Sequence, residues 1–183
     1  YCLPLAGTGH TPAMLKTWVL NPPTPLQMLR LPHQKVDEIP IGVGFEMELG
    51  KQWFDAQTGT WVRWLERHLV VHSYALATRK IAGLQQRLAK AELALAKLVA
   101  KPYDDCCVLI NKAQAILKHY QLQSCFELEI STVRQPPQRK RTKPASASKN
   151  HDKTEQFILA FHRQPQTIEA EILLAGWRIY VAN

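Results

Sequence analysis

Between residues 61 and 101 the chain changes its hydrophobic period once, at Ser73. The segment Trp61-Val62-Arg63-Trp64-Leu65-Glu66-Arg67-His68-Leu69-Val70-Val71-His72-Ser73 mixes β-branched, aromatic and charged residues, as a strand does. Beyond it, Ile81, Leu84, Leu88, Ala91, Leu95 and Leu98 recur three and four apart, which lines them along one side of a helix. Arg79, Lys80, Arg87, Lys90 and Lys97 fall mostly off that seam. A strand feeding a basic amphipathic helix limits what the chain can fold into. The seam must lie on apolar partners, and the cationic face must meet either water or a polyanion.

The chain has 183 residues, enough for one ordinary domain or a small domain with part of another. Apolar residues make up 46%, which excludes global disorder. A formal net charge of +8 favours an anionic partner, nucleic acid or a membrane surface. No run of about 18 uncharged apolar residues is present, so no membrane-crossing helix is expected and the chain reads as cytoplasmic. Cys2, Cys106, Cys107 and Cys125 show no C-x-x-C spacing and read as reduced thiols. His68 and His72, four apart in a strand, would sit roughly 13 Å from each other, too far for one ion. No metal ligand is therefore assigned. The N-terminus carries neither a starting Met nor a secretory signal, and the expectation is of a piece of a longer protein.

Taken in order, residues 1–5 read as the end of a strand and residues 12–20 as a short helix. Asn21-Pro22-Pro23-Thr24-Pro25 breaks regular structure. Residues 39–49 and 60–72 read as an antiparallel strand pair around the turn residues Asp55 to Gly59. The long helix spans about 74–100, capped by Ser73, with Gly83 inside it at a cost of about 1 kcal/mol relative to Ala. Pro102 ends it. A second helix over 103–121 carries Asp104 and Asp105 in its first turn, where acids favour the helix dipole. The two helices form an antiparallel hairpin. Residues 124–133 alternate Phe126, Leu128 and Ile130 against Glu127 and Glu129, as a half-buried strand does.

Composition then shifts. Residues 135–154 hold Arg139, Lys140, Arg141 and Lys143 among prolines and serines, with Asp152 the one acid. This reads as a basic flexible loop, serving either as a solvated linker or as a phosphate contact whose cations release counterions from DNA. A strand at 157–161, a helix at 165–175 stopped by Gly176, and a strand at 177–183 follow. Strand, helix, strand suggests a parallel α/β layer. The fold class expected is α+β. It divides into an opening core strand and exit loop (1–20), a domain of antiparallel strands with a helical hairpin (21–134), the loop (135–154) and a return segment (155–183).

Three pieces together resemble a known family. They are Trp64-Leu65-Glu66-Arg67 with Val70-Val71-His72-Ser73, then Gln86-Arg87-Leu88-Ala89-Lys90-Ala91-Glu92, and lastly Gly176-Trp177-Arg178-Ile179-Tyr180-Val181-Ala182-Asn183. In that order they resemble transposases of bacterial insertion sequences, the branch with an RNase H-like DDE core and a large insertion between the second Asp and the Glu. Tyr1 to Leu5 resembles the strand after the second catalytic Asp. The resemblance implies DNA strand cleavage and transfer in the intact enzyme. There, two Mg ions held by three carboxylates about 3.5–4 Å apart activate the nucleophile and stabilise the leaving oxygen. It also implies that those carboxylates lie outside this chain, so no catalytic residue is assigned among Asp37, Asp55, Asp104, Asp105 and Asp152, and the piece alone should not cleave DNA.

In relatives with this insertion, a Trp just before the Glu-bearing helix fills the gap left by a flipped base, and Trp177 matches it. Stacking there would contribute about 1–3 kcal/mol. The alternative is that Trp177 packs beneath the 165–175 helix. Arg178 lies on the opposite strand face. The residues expected to meet DNA are Trp177, Arg178, Arg63 and Arg67, with Arg139, Lys140, Arg141 and Lys143 from the loop. Transposon-end DNA and a second copy of the intact enzyme are the implied partners. Two other readings stand beside this one: a non-catalytic basic nucleic-acid-binding module, and a structural piece that dimerises through its helical hairpin.

Overall fold

A computed structural model describes residues 2–4, 13–134 and 155–182, and the fold is α+β. In chain order the elements are β1 (Cys2–Pro4), α1 (Ala13–Leu20), β2 (Gln27–Leu29), β3 (Gly42–Asp55), β4 (Thr60–Ser73), α2 (Tyr74–Val99), α3 (Cys106–Tyr120), β5 (Phe126–Arg134), β6 (Glu155–Arg163), α4 (Pro165–Leu174) and β7 (Trp177–Ala182). Five strands form one sheet in the order β1-β7-β4-β3-β2, and β5 pairs with β6 in a second sheet. The chain divides into two compact units, residues 1–83 with 170–183, and residues 84–169.

The first unit is built on the β3–β4 hairpin. Its register runs unbroken from Gly42↔Ser73 to Asp55↔Thr60. Asp55 organises the turn: its carboxylate accepts hydrogen bonds from the Gln57 N–H at 2.9 Å and the Thr58 hydroxyl at 2.7 Å. Those bonds, the Thr58 hydroxyl first, hold the Asp55 carboxyl below its ordinary range. Gly59 closes the turn at φ 68°, which suits a residue without Cβ. Strand β3 is longer than the alternation over 39–49 suggests. Trp53 and Phe54 extend it by pairing with Val62 and Trp61.

At the other end of β4, Ser73 turns the chain into α2. Its hydroxyl accepts from the Leu76 N–H at 3.4 Å, a cap at the expected residue. The Ser73 N–H donates to the Gly176 carbonyl at 3.1 Å. Gly176 has φ 87°, and a Cβ there would lie 2.7 Å from Ala77 Cβ. Only glycine lets the turn into β7 come this close. The small core of this unit joins Leu15 of α1, Phe45 of β3, Val70 of β4 and Ile179 of β7.

The last strand corrects one expectation. β6 and β7 do not form a parallel layer: β6 pairs with β5, and β7 runs antiparallel to both β4 and β1. The helix between them carries the chain from one unit to the other, so it is not a crossover above a single sheet. The strands expected to flank the 21–134 domain, β1 and β7, share a sheet with the hairpin expected inside it.

The second unit buries the predicted helical seam. Leu84, Leu88, Ala91 and Leu95 of α2 pack with Leu109, Ala113 and Leu117 of α3 and with Leu122, Cys125, Phe126 and Leu159. Arg87 Nη1 donates to the Tyr120 carbonyl at 3.3 Å, which ties the middle of α2 to the end of α3, as expected of an antiparallel helical hairpin whose second helix is the shorter. Asp105 stands just outside α3 as its N-cap, not in the first turn, and accepts from the Cys107 N–H at 2.7 Å. Gln121 ends the helix in the left-handed conformation at φ 57°. In β5, Phe126 is buried while Glu127 and Glu129 are exposed, as the alternation predicts.

Candidate nucleic-acid interface

Side chains alternate across a strand, and residues directly opposite each other share a face, so the register sorts the five-stranded sheet into two sides. One side carries Phe45, Met47, His68, Val70, Trp177 and Ile179, and α1 packs on it through Leu15 and Trp18. The other side carries Arg63 and Arg67 from β4, Arg178 and Tyr180 from β7, and Glu46 and Glu48 from β3. Arg63, Arg67 and Arg178 are all exposed.

The sheet thus sets Arg178, distant in sequence, on the same face as Arg63 and Arg67, which lie four apart on β4. Arg178 stands opposite Val71, four residues along β4 from Arg67. Four strand residues span roughly 13 Å, and the same spacing separates Arg63 from Arg67. Two acids share the face. Glu46 Oε1 lies 2.9 Å from Arg67 Nε, with both side chains at least half exposed. Such a pair is screened by water and contributes at most about 1 kcal/mol. Three guanidiniums against two carboxylates leave the face cationic. Aromatic surface borders it: Trp61 and Phe54, 5.3 Å apart by ring centroids, continue the same side toward the hairpin tip.

Trp177 lies on the opposite side from Arg178, as strand geometry requires. It is half-buried, with its ring 5.1 Å from His72 and 6.2 Å from Phe45, and it packs on the small core of the first unit. Nearby, His68 is 4% exposed. Its Nε2 lies 3.2 Å from Glu66 Oε2, its ring meets Trp18 edge-on, and its Nδ1 is buried with no hydrogen-bond partner. The Trp64 indole N–H donates to Glu66 at 3.2 Å and is the main cause holding that carboxyl below its ordinary range.

Arg139, Lys140, Arg141 and Lys143 lie outside the described residues. Among the described residues, no three His, Cys, Asp or Glu side chains gather around a common point that could hold a metal ion. Two of the acids serve their own backbone instead, Asp55 in its turn and Asp105 as a helix cap. Among the described residues, no helix is long and apolar enough to cross a membrane.

Sequence reasoning overlooked the outer half of the β3–β4 hairpin. There, Trp53, Phe54, Trp61, Val62, Trp64 and Leu65 are 40–65% exposed. The signal lies in the spacing: Trp53 and Phe54 precede Asp55 at the same distances at which Val62 and Trp61 follow Thr60, its partner across the turn. Comparison with family models, with curated proteins and with solved structures returns no match.

Proposed function

We propose that this chain holds DNA within a transposase of the insertion-sequence type, on the side of the five-stranded sheet that carries Arg63, Arg67 and Arg178. The observation that carries the reading is the convergence of those three guanidiniums, from two strands distant in sequence, on an exposed face bordered by aromatic rings. Arginine forks suit phosphate oxygens, and a cationic strand face can follow a duplex backbone. The net charge of +8 and the order of the family-like motifs support the same reading.

Strand cleavage and transfer in such an enzyme would be supplied by Mg ions on three carboxylates. On this reading the part of this chain is to bind and orient DNA. The partners on this reading are transposon-end DNA and a second copy of the enzyme, in the cytoplasm. The reading is tested by titrating duplex DNA, over a range of salt, into the wild-type chain and an Arg63→Gln/Arg67→Gln/Arg178→Gln variant. Weaker binding with a shallower salt dependence in the variant is expected. Identical curves would remove this face from the interface.

A further inference from the structure

Beyond Glu48 and Arg67 the β3–β4 hairpin is only two strands wide. β7 pairs with β4 only from Arg67 to His72, and β2 pairs with β3 only from Gly42 to Gly44. Seven cross-strand pairs, from Leu49↔Glu66 to Asp55↔Thr60, extend past that point. At about 3.4 Å per residue they make a ribbon roughly 20 Å long, with its strands about 4.8 Å apart. The major groove of B-DNA, about 12 Å wide and about 8.5 Å deep, admits a two-stranded ribbon of this size. The five-stranded part of the sheet is too broad to enter it. Among the described residues, both edges of the ribbon are unpaired. Backbone N–H groups along such edges are donors that phosphate oxygens accept, and the walls of a groove supply those oxygens on either side.

The side of the ribbon that continues the arginine face suits the floor of the groove. From base to tip it presents the pairs Gly50↔Leu65, Gln52↔Arg63 and Phe54↔Trp61, with no acid among them. Gln52 and Arg63 are exposed and directly opposite, so their side chains leave the ribbon together, about 5 Å apart at Cβ. Their forked ends each match one base. Arg donates twice to guanine, at O6 and N7, and Gln donates to adenine N7 while accepting from its N6 amino group. Beside them, a Cβ built on Gly50 would meet nothing within 4 Å, and Gly50, Gln52, Arg63 and Leu65 help to line a shallow hollow. Glycine in a strand often marks a close approach to the backbone, here by the edge of a base. Leu65 adds apolar contact for a thymine methyl.

We propose that the outer ribbon enters the major groove of duplex DNA, where Gln52 and Arg63 read two neighbouring base pairs, an A·T and a G·C. The inference rests on the DNA-holding reading. It adds what contacts to phosphate alone lack, a preference among sequences.

The test is selection by the wild-type chain from a pool of duplexes with a randomised central segment. Titrations at fixed salt then follow, on the selected duplex and on duplexes with single base pairs exchanged. Wild type should enrich an element holding G·C next to A·T, and exchanging either pair should weaken binding about tenfold. Gln52→Ala should lose the discrimination at the A·T position alone. Arg63→Lys keeps the charge without the fork, so it should lose the discrimination at the G·C position with its salt dependence unchanged. Both substitutions fall on exposed residues, and circular dichroism checks that the fold is kept. A wild type that binds every duplex equally would overturn this inference and leave the phosphate-holding reading standing. A wild type that binds no duplex would overturn both. Base preferences that survive Gln52→Ala and Arg63→Lys unchanged would remove these two residues from the readout and overturn the proposal.

Discussion

The two units of this chain handle apolar surface in opposite ways. Among the described residues, the unit 84–169 gathers eleven buried side chains, from two helices, a two-stranded sheet and the loop before β5, into one cluster. Among the described residues, the sheet unit gathers four, Leu15, Phe45, Val70 and Ile179, and leaves Trp53, Trp61 and Trp64 in water. Burial at about 25 cal/mol per Å2 makes the first arrangement self-sufficient. The second spends length and aromatic side chains on surface that, beyond cross-strand pairs such as Phe54 with Trp61, stays exposed. On the reading proposed above, the arginine face and the exposed outer half of the β3–β4 hairpin serve something outside the fold, whereas the buried cluster serves the fold itself.

The largest effect that would sharpen this contrast lies in the helical unit. Leu109 is fully buried among α2 and β6 residues. Leu109→Ala should cost about 2–5 kcal/mol, measured by urea unfolding, because the cavity cannot collapse between two packed helices. A cost below about 1 kcal/mol would mean that this cluster is not the self-sufficient core described.

A smaller effect is expected where the sheet unit is most constrained. Gly176→Ala forces a side chain into positive φ and against Ala77 Cβ and the Ser73 carbonyl. The expected loss is about 1–3 kcal/mol by the same measurement, accompanied by weakened protection of the β7 amides against hydrogen exchange. No loss would show that the junction of β4, α2 and β7 is loose.

The smallest effect concerns the ion pair Arg163–Glu92 within the helical unit. Arg163 Nη2 donates to Glu92 Oε2 at 2.7 Å, with the two side chains 50% and 31% exposed. The Arg163 hydrogen bond holds the Glu92 carboxyl below its ordinary value of 4.5. A carboxyl depressed in the folded state stabilises above its unfolded value, and that contribution fades as pH falls through the folded one. Glu92→Gln should therefore cost about 0.5 kcal/mol at neutral pH, and the difference should begin to shrink as pH falls below 4.5 and be lost once pH is below the folded value. A difference that persists unchanged to pH about 3 would assign the loss to packing.

The helical unit was also the more legible in sequence. The seam from Leu84 to Leu95 and the alternation Phe126-Glu127-Leu128-Glu129 are local periodicities, and each appears where the spacing puts it. The start of α2 at Tyr74 followed from the change of period at Ser73. What could not be read was pairing between distant strands. Nothing local says that Arg178 will stand opposite Val71, or that β7 will run antiparallel to β4. The same gap keeps Arg178 from being placed beside Arg63 and Arg67, whose shared face follows from strand alternation alone. The alternation over 39–49 predicts a strand ending at Leu49, whereas the cross-strand pairs Trp53·Val62 and Phe54·Trp61 carry β3 on to Asp55. The second helix starts at Cys106, later than the expected 103, because the Asp105 side chain accepts two backbone N–H bonds from just outside it.

The central claim is that the open side of the sheet holds DNA through its three arginines. The slope of log affinity against log salt concentration for duplex DNA tests it most directly, comparing wild type with Arg63→Gln/Arg67→Gln/Arg178→Gln. Each phosphate contact contributes about 0.9 to that slope, so the account predicts a variant slope shallower by up to about 2.7. Equal slopes, with the variant folded and the wild type binding, would contradict it.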